Sequence, residues 1–341
     1  MNNYLENEIY AADIEAAIAN VNGFGFFDNK KILVLGAAGL LGSFLTDCFL
    51  YANAHLNMNV DIYAVSRSRG HLKARFGEET DWLHFVEGDV TTLEIGSRID
   101  LVVHAASWAH PQAFREAPVE TMLGNLLGTY RVMEIAKENP GCRVLFVSSG
   151  EVQEAVDHLS VRACYPVSKK AAETLCLSYM QEYNVDVVIA RPCHTFGANV
   201  TQSDNRATAQ FIGKAVHNED IVLNSSGEQV RSFAYVPDCV SGLLTIAACG
   251  QKGCVYGVAS DETCSVRQFA KQCADAAHTR IVLRAANAAE QAEASPIKNQ
   301  VIDNNDLKKL GWSPLFTIEQ GILHSIAIRK WMEERNGNIL Y

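Results

Sequence analysis

Tyr165 and Lys169 have the types and the spacing of a catalytic pair. They are four positions apart in a segment of helical character, so both side chains are expected on one face of a helix. A phenol has a pKa of about 10, and a neighbouring ammonium group favours its ionised form. Lowering that pKa to about 7 requires about 4 kcal/mol of differential stabilisation, which a partly desolvated pair can supply. Tyr165 is therefore expected to take a proton from an alcohol, with Lys169 tuning its pKa.

Ser149 follows the apolar segment at residues 143–147, which is typical of a buried strand. Its hydroxyl is expected to hydrogen-bond the same substrate oxygen as Tyr165 and to stabilise the developing ketone. A tyrosine four residues before a lysine is common by chance, and an ordinary helical pair is the alternative. The combination with a strand-end serine and an upstream glycine turn makes catalysis the favoured interpretation.

The glycine turn lies between an apolar strand at residues 32–35 and an apolar helical segment at 40–50. Strand, glycine turn and helix open a dinucleotide-binding βαβ unit, with the phosphates on free N–H groups at the helix N-terminus. The spacing is G-x-x-G-x-x-G, not the commoner G-x-G-x-x-G, so a structural turn remains an alternative. The candidate cofactor-binding residues here are Gly36, Gly39, Leu40, Leu41 and Gly42.

Further cofactor contacts are expected where the later strands end. In dinucleotide folds an acid after the second strand binds the ribose of NAD, but this chain has Arg67 there. Arg67 could meet a 2′-phosphate, which leaves NADP as an alternative to NAD, or it could be a solvated loop charge. Asp89, after the third strand, could reach the adenine or cap a turn. Ala105, Ala106 and Ser107 follow the fourth strand and are small enough to let a cofactor pass.

Six apolar strands alternate with helical segments, which predicts an α/β fold with a doubly wound parallel Rossmann sheet. After residue 195 the elements become short and mixed, as in a smaller, discontinuous α/β lobe that binds substrate. The predicted division is an N-terminal helical extension at 1–30, a Rossmann domain at 31–195 with a returning segment at about 231–250, and a substrate lobe at 196–230 and 251–341.

Composition excludes several classes of partner and site. The net charge is −10 and no block of Lys or Arg occurs, which argues against nucleic acid and anionic membranes. No apolar run is long enough to span a membrane and the N-terminal residues lack a basic-then-apolar signal, so a cytoplasmic location is expected. The ten cysteines form no C-x-x-C pair, so we interpret them as reduced core residues and expect no metal site.

Several motifs accompany these residues. They are Gly36–Gly42, Asp89-Val90, His104-Ala105-Ala106, Asn125, Ser148-Ser149, Tyr165-x-x-x-Lys169, Arg191-Pro192 and Arg231-x-Phe-x-Tyr-Val-x-Asp238. Together they resemble the extended short-chain dehydrogenases/reductases that modify nucleotide sugars, over about residues 30–275. The resemblance implies bound NAD(P), a UDP- or dTDP-sugar oxidised at C4, and cofactor contacts from Val90 and Asn125.

The resemblance also implies residues that hold the substrate. Arg231 stands in the segment whose arginine grips the substrate diphosphate, and a guanidinium binds phosphate in a bidentate manner. A surface salt bridge is the alternative for Arg231. Arg206 stands in the region that closes over the nucleotide. Arg191 and His194 are further candidates, although His194 replaces the asparagine that is usual in the family.

The resemblance extends to assembly. Helical segments at about 123–137 and 171–181 are similar to those that form a four-helix interface in relatives, which implies a homodimer.

Glu151 separates the possible reactions. Among the similar enzymes, lyases carry a glutamate two residues after the catalytic serine or threonine, whereas epimerases carry a small or neutral residue. A C4 ketone acidifies the C5 proton, so a carboxylate can drive loss of water from C6; if C6 is itself a carboxylate, the ketone promotes loss of CO2. Dehydratases carry aspartate where this chain has Gly150. A lyase is therefore favoured, either like the UDP-glucuronate decarboxylases, whose tyrosine motif the Arg-Ala-Cys-Tyr sequence at 162–165 resembles, or like the dTDP-glucose 4,6-dehydratases. A C4 epimerase, a non-catalytic nucleotide sensor and a loop acid at Glu151 remain alternatives.

Overall fold

The computed structural model describes residues 4–154, 157–201, 204–285 and 299–336. Its strands are β1 (Lys31–Leu35), β2 (Asp61–Ser66), β3 (Leu83–Glu87), β4 (Leu101–His104), β5 (Arg143–Val147), β6 (Asp186–Pro192), β7 (His194–Phe196), β8 (Ile221–Leu223), β9 (Val230–Tyr235), β10 (Val255–Val258), β11 (Thr263–Ser265), β12 (Ile281–Leu283) and β13 (Asn299–Gln300). Its helices are α1 (Glu8–Ala19), α2 (Leu40–His55), α3 (Arg69–Phe76), α4 (Pro111–Glu116), α5 (Pro118–Glu138), α6 (Cys164–Tyr183), α7 (Ala207–Val216), α8 (Val236–Cys249), α9 (Val266–Ala276), α10 (Asn305–Lys308) and α11 (Ile318–Asn336).

Seven parallel strands form the main sheet, in the order β3-β2-β1-β4-β5-β6-β10. The first six follow the order of a doubly wound dinucleotide-binding sheet, so the predicted fold class is confirmed. The carboxyl ends of β1, β4 and β5 lie side by side, since these strands are parallel neighbours in register. Gly36, Ser107 and Ser149 follow those ends and therefore meet at one edge of the sheet.

The main sheet is covered on both faces, which explains its continuous apolar strands. Ile32 and Val34 of β1 join a core that includes residues of α1, α2 and α8. Leu33 and Leu35 join a second core with residues of α5 and α6. The alternation of side chains along β1 therefore distributes one apolar run between two layers of helices. No helix in the described ranges is long and apolar enough to cross a membrane.

The predicted N-terminal extension forms helix α1, which packs against α2 and α8. Tyr10 donates a hydrogen bond of 2.7 Å to the Asp47 carboxylate, which is also paired with the buried Arg75. Asp13 accepts a hydrogen bond of 2.6 Å from the hydroxyl of Tyr235. Buried polar contacts of this kind tie α1 to both parts of the molecule, so the extension is a brace for the fold.

The smaller lobe contains a sheet of β7, β9, β11 and β13, and a separate pair of β8 and β12. Two strands depart from the predicted division. Strand β10 pairs with β6 at the edge of the main sheet, although residues 251–341 were predicted to belong to the lobe. Strand β9 lies in the lobe, so of the segment predicted to return at 231–250 only α8 packs on the main sheet. Residues 286–298 of the predicted lobe lie outside the described residues.

The glycine turn sets how closely α2 packs on β1. Gly36 has a φ of +81°, a left-handed conformation that favours glycine. A Cβ placed on Gly42 would lie 2.2 Å from the carbonyl oxygen of Gly36, closer than any real contact. The helix can therefore begin directly above the end of the strand only because position 42 has no side chain.

Replacing Gly42 by alanine is expected to lower the free energy of unfolding by about 1–3 kcal/mol, because the new methyl group would overlap backbone atoms of the turn. Denaturant unfolding followed by circular dichroism measures the change. Gly96→Ala is the matched control, since a Cβ at position 96 would meet nothing within 4 Å. Equal stability of the two variants would contradict this account of the turn.

Candidate active site

A cavity of about 560 Å³ lies at the carboxyl edge of the main sheet, where residues of the smaller lobe also line it. It brings together most of the residues that the sequence singled out. The predicted site residues that line it are Gly36, Gly39, Leu40, Leu41, Gly42, Ala105, Ser107, Ser149, Glu151, Tyr165, Lys169, His194, Arg206 and Arg231. A single cavity therefore receives both the expected cofactor residues and the expected catalytic residues.

The glycine turn has the form of a pyrophosphate cradle. Helix α2 begins after Gly39, which has extended backbone angles and makes no side-chain cap. The first N–H groups of a helix have no partner within the helix and carry partial positive charge, so they are suited to bind an anion. A Cβ on Gly36 would lie 2.9–3.0 Å from the backbone of Ala105 and Ala106, so only glycine keeps the cradle open. These features fit a dinucleotide.

Five predicted cofactor residues, Arg67, Asp89, Val90, Ala106 and Asn125, are not among the described residues that line the cavity. Arg67 is exposed, with its guanidinium 4.8 Å from the ring centroid of Trp108. Asp89 caps its own turn, because its carboxylate accepts hydrogen bonds of 2.9 and 2.6 Å from the N–H and hydroxyl of Thr91. In this structure Asp89 therefore caps a turn, which was the alternative to a contact with adenine.

Asn125 acts between two elements of the fold. Its Oδ1 accepts a hydrogen bond of 2.8 Å from Ser107, and its Nδ2 donates one of 2.9 Å to Ser168. The side chain is buried, and its amide is engaged at both ends. It therefore holds Ser107, three residues beyond β4, against α6.

Lys169 is fully buried beneath the cavity. Its ammonium donates a hydrogen bond of 2.8 Å to the carbonyl oxygen of Val147, the last residue of β5, and lies 5.0 Å from the ring centroid of Phe146. Burial lowers the pKa of Lys169 to about 8, because the charged form is deprived of water. The lysine can therefore lose its charge within the range of pH in which enzymes are studied.

Tyr165 stacks on Phe114, with 4.7 Å between ring centroids. Burial raises the pKa of Tyr165 to about 12, and the Glu151 carboxylate adds to the increase. A hydrogen bond with Ser149 and the charges of Arg206 and Arg162 act in the opposite direction. The expectation of a lowered pKa is wrong for the protein by itself, because desolvation of the phenolate outweighs the nearby positive charges.

Glu151 faces the cavity and is not a solvated loop acid. The turn at Gly150–Gln153 begins at Ser149, whose hydroxyl accepts a hydrogen bond of 3.2 Å from the N–H of Glu151. Arg162 donates to the Glu151 carboxylate at 3.0 Å and lies 4.6 Å from the ring centroid of Phe114. Sequence analysis assigned no role to Arg162 or Phe114; Arg162 was visible only as part of the tyrosine motif.

Arg191 was predicted to bind substrate, and the structure contradicts this. Its guanidinium donates two hydrogen bonds, of 2.8 and 2.6 Å, to the carboxylate of Glu173. Ser148 donates a third, of 2.6 Å, to the same carboxylate. Arg191 is not among the described residues that line the cavity. The bidentate pair commits the guanidinium to the support of the β5 end beneath the site.

The remaining arginines that were predicted to hold substrate differ in their surroundings. Arg206 is paired with Asp204 through hydrogen bonds of 2.5 to 3.1 Å and donates another of 3.2 Å to the carbonyl oxygen of Thr195. Arg231 is buried and lines the cavity beside the smaller lobe. Arg206 is thus neutralised locally, whereas the predicted contact of Arg231 with a diphosphate stays a prediction.

His194 and Gln300 line the same side of the cavity as Arg231. Burial, together with the charges of Arg231 and Arg206, lowers the pKa of His194 to about 4, so the imidazole is neutral. The Nε2 atoms of His194 and Gln300 are buried and have no hydrogen-bond partner within the described ranges. Gln300 was missed by sequence analysis, because it belongs to no motif and reaches the site only through the pairing of β13 with β9.

Comparison with known structures reproduces the fold. The dTDP-glucose 4,6-dehydratase of Streptomyces venezuelae superposes with a TM-score of 0.77 at 20% identity, over 89% of this chain and 98% of the other. The UDP-glucose 4-epimerase of Thermotoga maritima gives a TM-score of 0.73 at 20% identity, over 87% of this chain and 98% of the other. At these identities the likeness establishes a shared architecture.

Comparison of sequences identifies the family as well as the fold. UDP-glucuronic acid decarboxylase 1 of Xenopus tropicalis is 31% identical over 328 residues, which cover 91% of this chain and 75% of that protein. The model of the NAD dependent epimerase/dehydratase family matches residues 32–259. The match includes the glycine turn, the strand-end serine, the Tyr-x-x-x-Lys pair and the segment of Arg231. The chain therefore belongs to the NAD dependent epimerase/dehydratase family, which confirms the predicted family and an NAD-dependent enzyme.

Proposed function

We propose that this chain is a decarboxylase of a nucleotide-linked uronic acid, most simply UDP-glucuronate, that works by transient oxidation at C4. The observation that carries the proposal is the pair of Glu151 and Arg162, which lines the same cavity as Ser149 and Tyr165. A carboxylate beside the groups that act at C4 can transfer a proton at C5, as the reaction of a lyase requires. The identity of 31% with a UDP-glucuronic acid decarboxylase supports the same reaction.

The cofactor would be held by the open N-terminus of α2, by Ser107 and by Lys169, which line the cavity together. When bound, NAD supplies hydride acceptance from C4 and later hydride return. NADP stays an alternative because Arg67 is exposed and replaces the acid that usually binds the ribose. All other chemistry is assigned to side chains of this protein.

Tyr165 takes the proton of the C4 hydroxyl as the ketone forms. Ser149 donates a hydrogen bond to the same oxygen, which holds it toward the phenol. The charges of Arg206 and Arg162 favour the phenolate. Lys169, one helical turn away and charged below a pH of about 8, is proposed to add to their effect. These groups must offset a desolvation that leaves the pKa of Tyr165 at about 12 in the protein by itself.

Decarboxylation follows from the C4 ketone. The C6 carboxylate is then that of a β-keto acid, so the bond between C5 and C6 breaks, CO2 leaves, and the electron pair passes to the C4 oxygen as an enolate. Ser149 and Tyr165 donate hydrogen bonds to that oxygen and stabilise the developing charge. Glu151 relays a proton from solvent to C5, which restores the ketone.

Gly150 argues against a dehydratase. The similar 4,6-dehydratases place an aspartic acid at this position, next to the glutamate. Here a Cβ on Gly150 would lie 2.5 Å from Cδ1 of Ile302, so a larger side chain at position 150 would require Ile302 to move. Without that acid, departure of the C6 hydroxyl would lack its proton donor, whereas loss of CO2 needs none.

We also propose a homodimer, built on helix α5. Val119, Leu123, Leu127 and Tyr130 are exposed by 61, 47, 47 and 48%. Their spacing of four, four and three residues puts them on one face of the helix. An apolar stripe of this kind is typical of an interface, and a second copy of the same helix is complementary to it.

We place the protein in the cytoplasm. All ten cysteines are free in the described ranges, and seven of them are buried. Such a distribution is typical of a reducing compartment.

The reaction is tested by incubating the protein with NAD and UDP-glucuronate and measuring the mass of the product. Loss of CO2 is expected. Tyr165→Phe should reduce turnover by about 100-fold or more, because the proton of the C4 hydroxyl then has no acceptor, while NAD binding measured by calorimetry is kept. Loss of water, or an unchanged mass with altered retention, would instead identify a dehydratase or an epimerase. Full activity of Tyr165→Phe would disprove the mechanism.

Lys169→Met is expected to raise the free energy of unfolding by about 1–2 kcal/mol at pH 7. The pKa of Lys169 is about 8 in the folded protein and about 10.4 in the unfolded chain, so keeping the buried lysine charged costs about 3 kcal/mol. The substitution removes this cost but also loses the hydrogen bond of Lys169, which is worth about 1 kcal/mol. As pH rises from 8 to 10, Lys169 of the folded wild type loses its ammonium proton, and the stability advantage of Lys169→Met over the wild type should disappear.

Urea titrations at pH 7 and pH 10 measure the difference for Lys169→Met. The exposed neighbour Lys170, changed to methionine, is the matched control and should leave stability unaffected at both pH values. A gain in Lys169→Met that did not vary with pH would contradict the assigned charge.

Leu127→Glu is expected to convert the dimer to a monomer, since a charge would be buried at the centre of the stripe. Light scattering after gel filtration at micromolar concentration measures the mass. Leu323→Glu is the control, because Leu323 is also exposed by 47% and lies on a different helix. A wild type that is monomeric under these conditions would disprove the proposal.

A further inference from the structure

Arg162 is fixed at the cavity by contacts with two neighbours. It belongs to the short turn Val161–Ala163 that leads directly into α6. Its guanidinium lies 4.6 Å from the ring centroid of Phe114, and Nη2 donates to Glu151 at 3.0 Å. The side chain is 24% exposed and lines the cavity. Stacking and one ion pair therefore hold a cation at the cavity surface in a defined orientation.

The guanidinium has donors to spare. It carries several N–H groups in a planar fork, and Glu151 accepts from one nitrogen. No other side-chain acceptor for Arg162 occurs among the described residues. Its remaining donors are suited to a planar carboxylate, which a guanidinium binds through two parallel hydrogen bonds.

Arg206 provides an internal comparison. Two guanidinium groups, those of Arg206 and Arg162, act electrostatically on Tyr165. Arg206 is engaged twice over, by the carboxylate of Asp204 and by the carbonyl oxygen of Thr195. Arg162, by contrast, gives one side-chain hydrogen bond in the described structure. Of the two cations beside the proposed base, Arg162 is the one able to take another anion.

The chemistry of a uronate requires an anion site at this place. Its hydroxyl and its carboxylate are carried by the adjacent carbon atoms C4 and C5, so a protein that holds the hydroxyl at Tyr165 must receive the carboxylate nearby. Glu151 also faces this region and would repel it. Arg162 lies against Glu151 and offsets that repulsion. A neutral hexose, with a hydroxymethyl group at C6, has no such requirement.

We propose that Arg162, held by Phe114 and Glu151, binds the C6 carboxylate of the substrate and selects uronates over neutral hexoses. The inference rests on the proposed function, since it takes the substrate to be oriented with its C4 hydroxyl at Tyr165. It assigns to Arg162 a binding role, distinct from proton transfer by Glu151. It also explains why the turn before α6 places a cation against the cavity wall.

The test compares UDP-glucuronate with UDP-glucose, which differ only at C6. Their dissociation constants are measured by calorimetry with the full chain in the presence of NAD, in the Tyr165→Phe background so that no turnover occurs. Arg162→Met is expected to weaken UDP-glucuronate binding by about 10- to 100-fold and to change UDP-glucose binding by less than about 3-fold. Arg162→Lys, which keeps the charge but loses the fork, should fall between these values for UDP-glucuronate.

Two results would overturn the inference. An equal loss of affinity for both sugars in Arg162→Met and Arg162→Lys would mean that Arg162 only supports Glu151 and Phe114. Unchanged affinity for UDP-glucuronate would mean that the carboxylate binds elsewhere. Thermal melts of each variant verify that it is folded.

The proposed function fails in a different way. An Arg162-dependent preference for UDP-glucuronate in a wild type that releases no CO2 would support carboxylate recognition and disprove the decarboxylase. Decarboxylation at the wild-type rate and KM by Arg162→Met would disprove carboxylate recognition and leave the decarboxylase standing.

Discussion

The hydrogen bond from Lys169 to the carbonyl oxygen of Val147 is the contact on which the site depends. It spans 2.8 Å between a helix and the end of a strand, and the lysine is fully buried. Because Tyr165 is one helical turn before Lys169 and Ser149 is two residues after Val147, this bond fixes the distance between the two groups that are proposed to hold the substrate oxygen. A buried ammonium without that acceptor would be strongly unfavourable, so the charge itself enforces the alignment.

Two buried hydrogen-bond networks hold the neighbouring elements in place around this contact. Asn125 links Ser107, three residues beyond β4, to α6, and Glu173 links α6 to Ser148 and Arg191. Both networks have their described donors and acceptors engaged, which makes a buried polar group tolerable and gives it a single geometry. Their effect on chemistry is indirect, since they hold Ser107 and Ser149 on the rigid ends of neighbouring strands.

Local patterns were sufficient to predict the sheet, the glycine turn and the Tyr-x-x-x-Lys pair, because each depends on residues close together in the chain. Asn125 and Arg191 could not be interpreted in the same way. Each of these side chains stabilises the fold because of a partner on another element. Asn125 donates to Ser168, which is 43 residues away in sequence, and Arg191 of β6 donates to Glu173 of α6. The pKa of Tyr165 was also beyond prediction, since burial decides its direction and a sequence motif does not report burial.

The charge of the cavity differs from that of the molecule. The chain carries a net charge of −10, which would oppose an anionic ligand at long range. Within about 8 Å, however, local charges dominate because salt screens the rest. Among the described residues, the charged side chains that line the cavity are Lys169, Arg162, Arg206 and Arg231 on the positive side, and Glu151 and Asp204 on the negative side. Both carboxylates are paired with arginines, and among the described lining residues the four cations outnumber the two anions. An acidic protein can therefore offer an anionic nucleotide sugar a locally positive cavity without any extended basic surface.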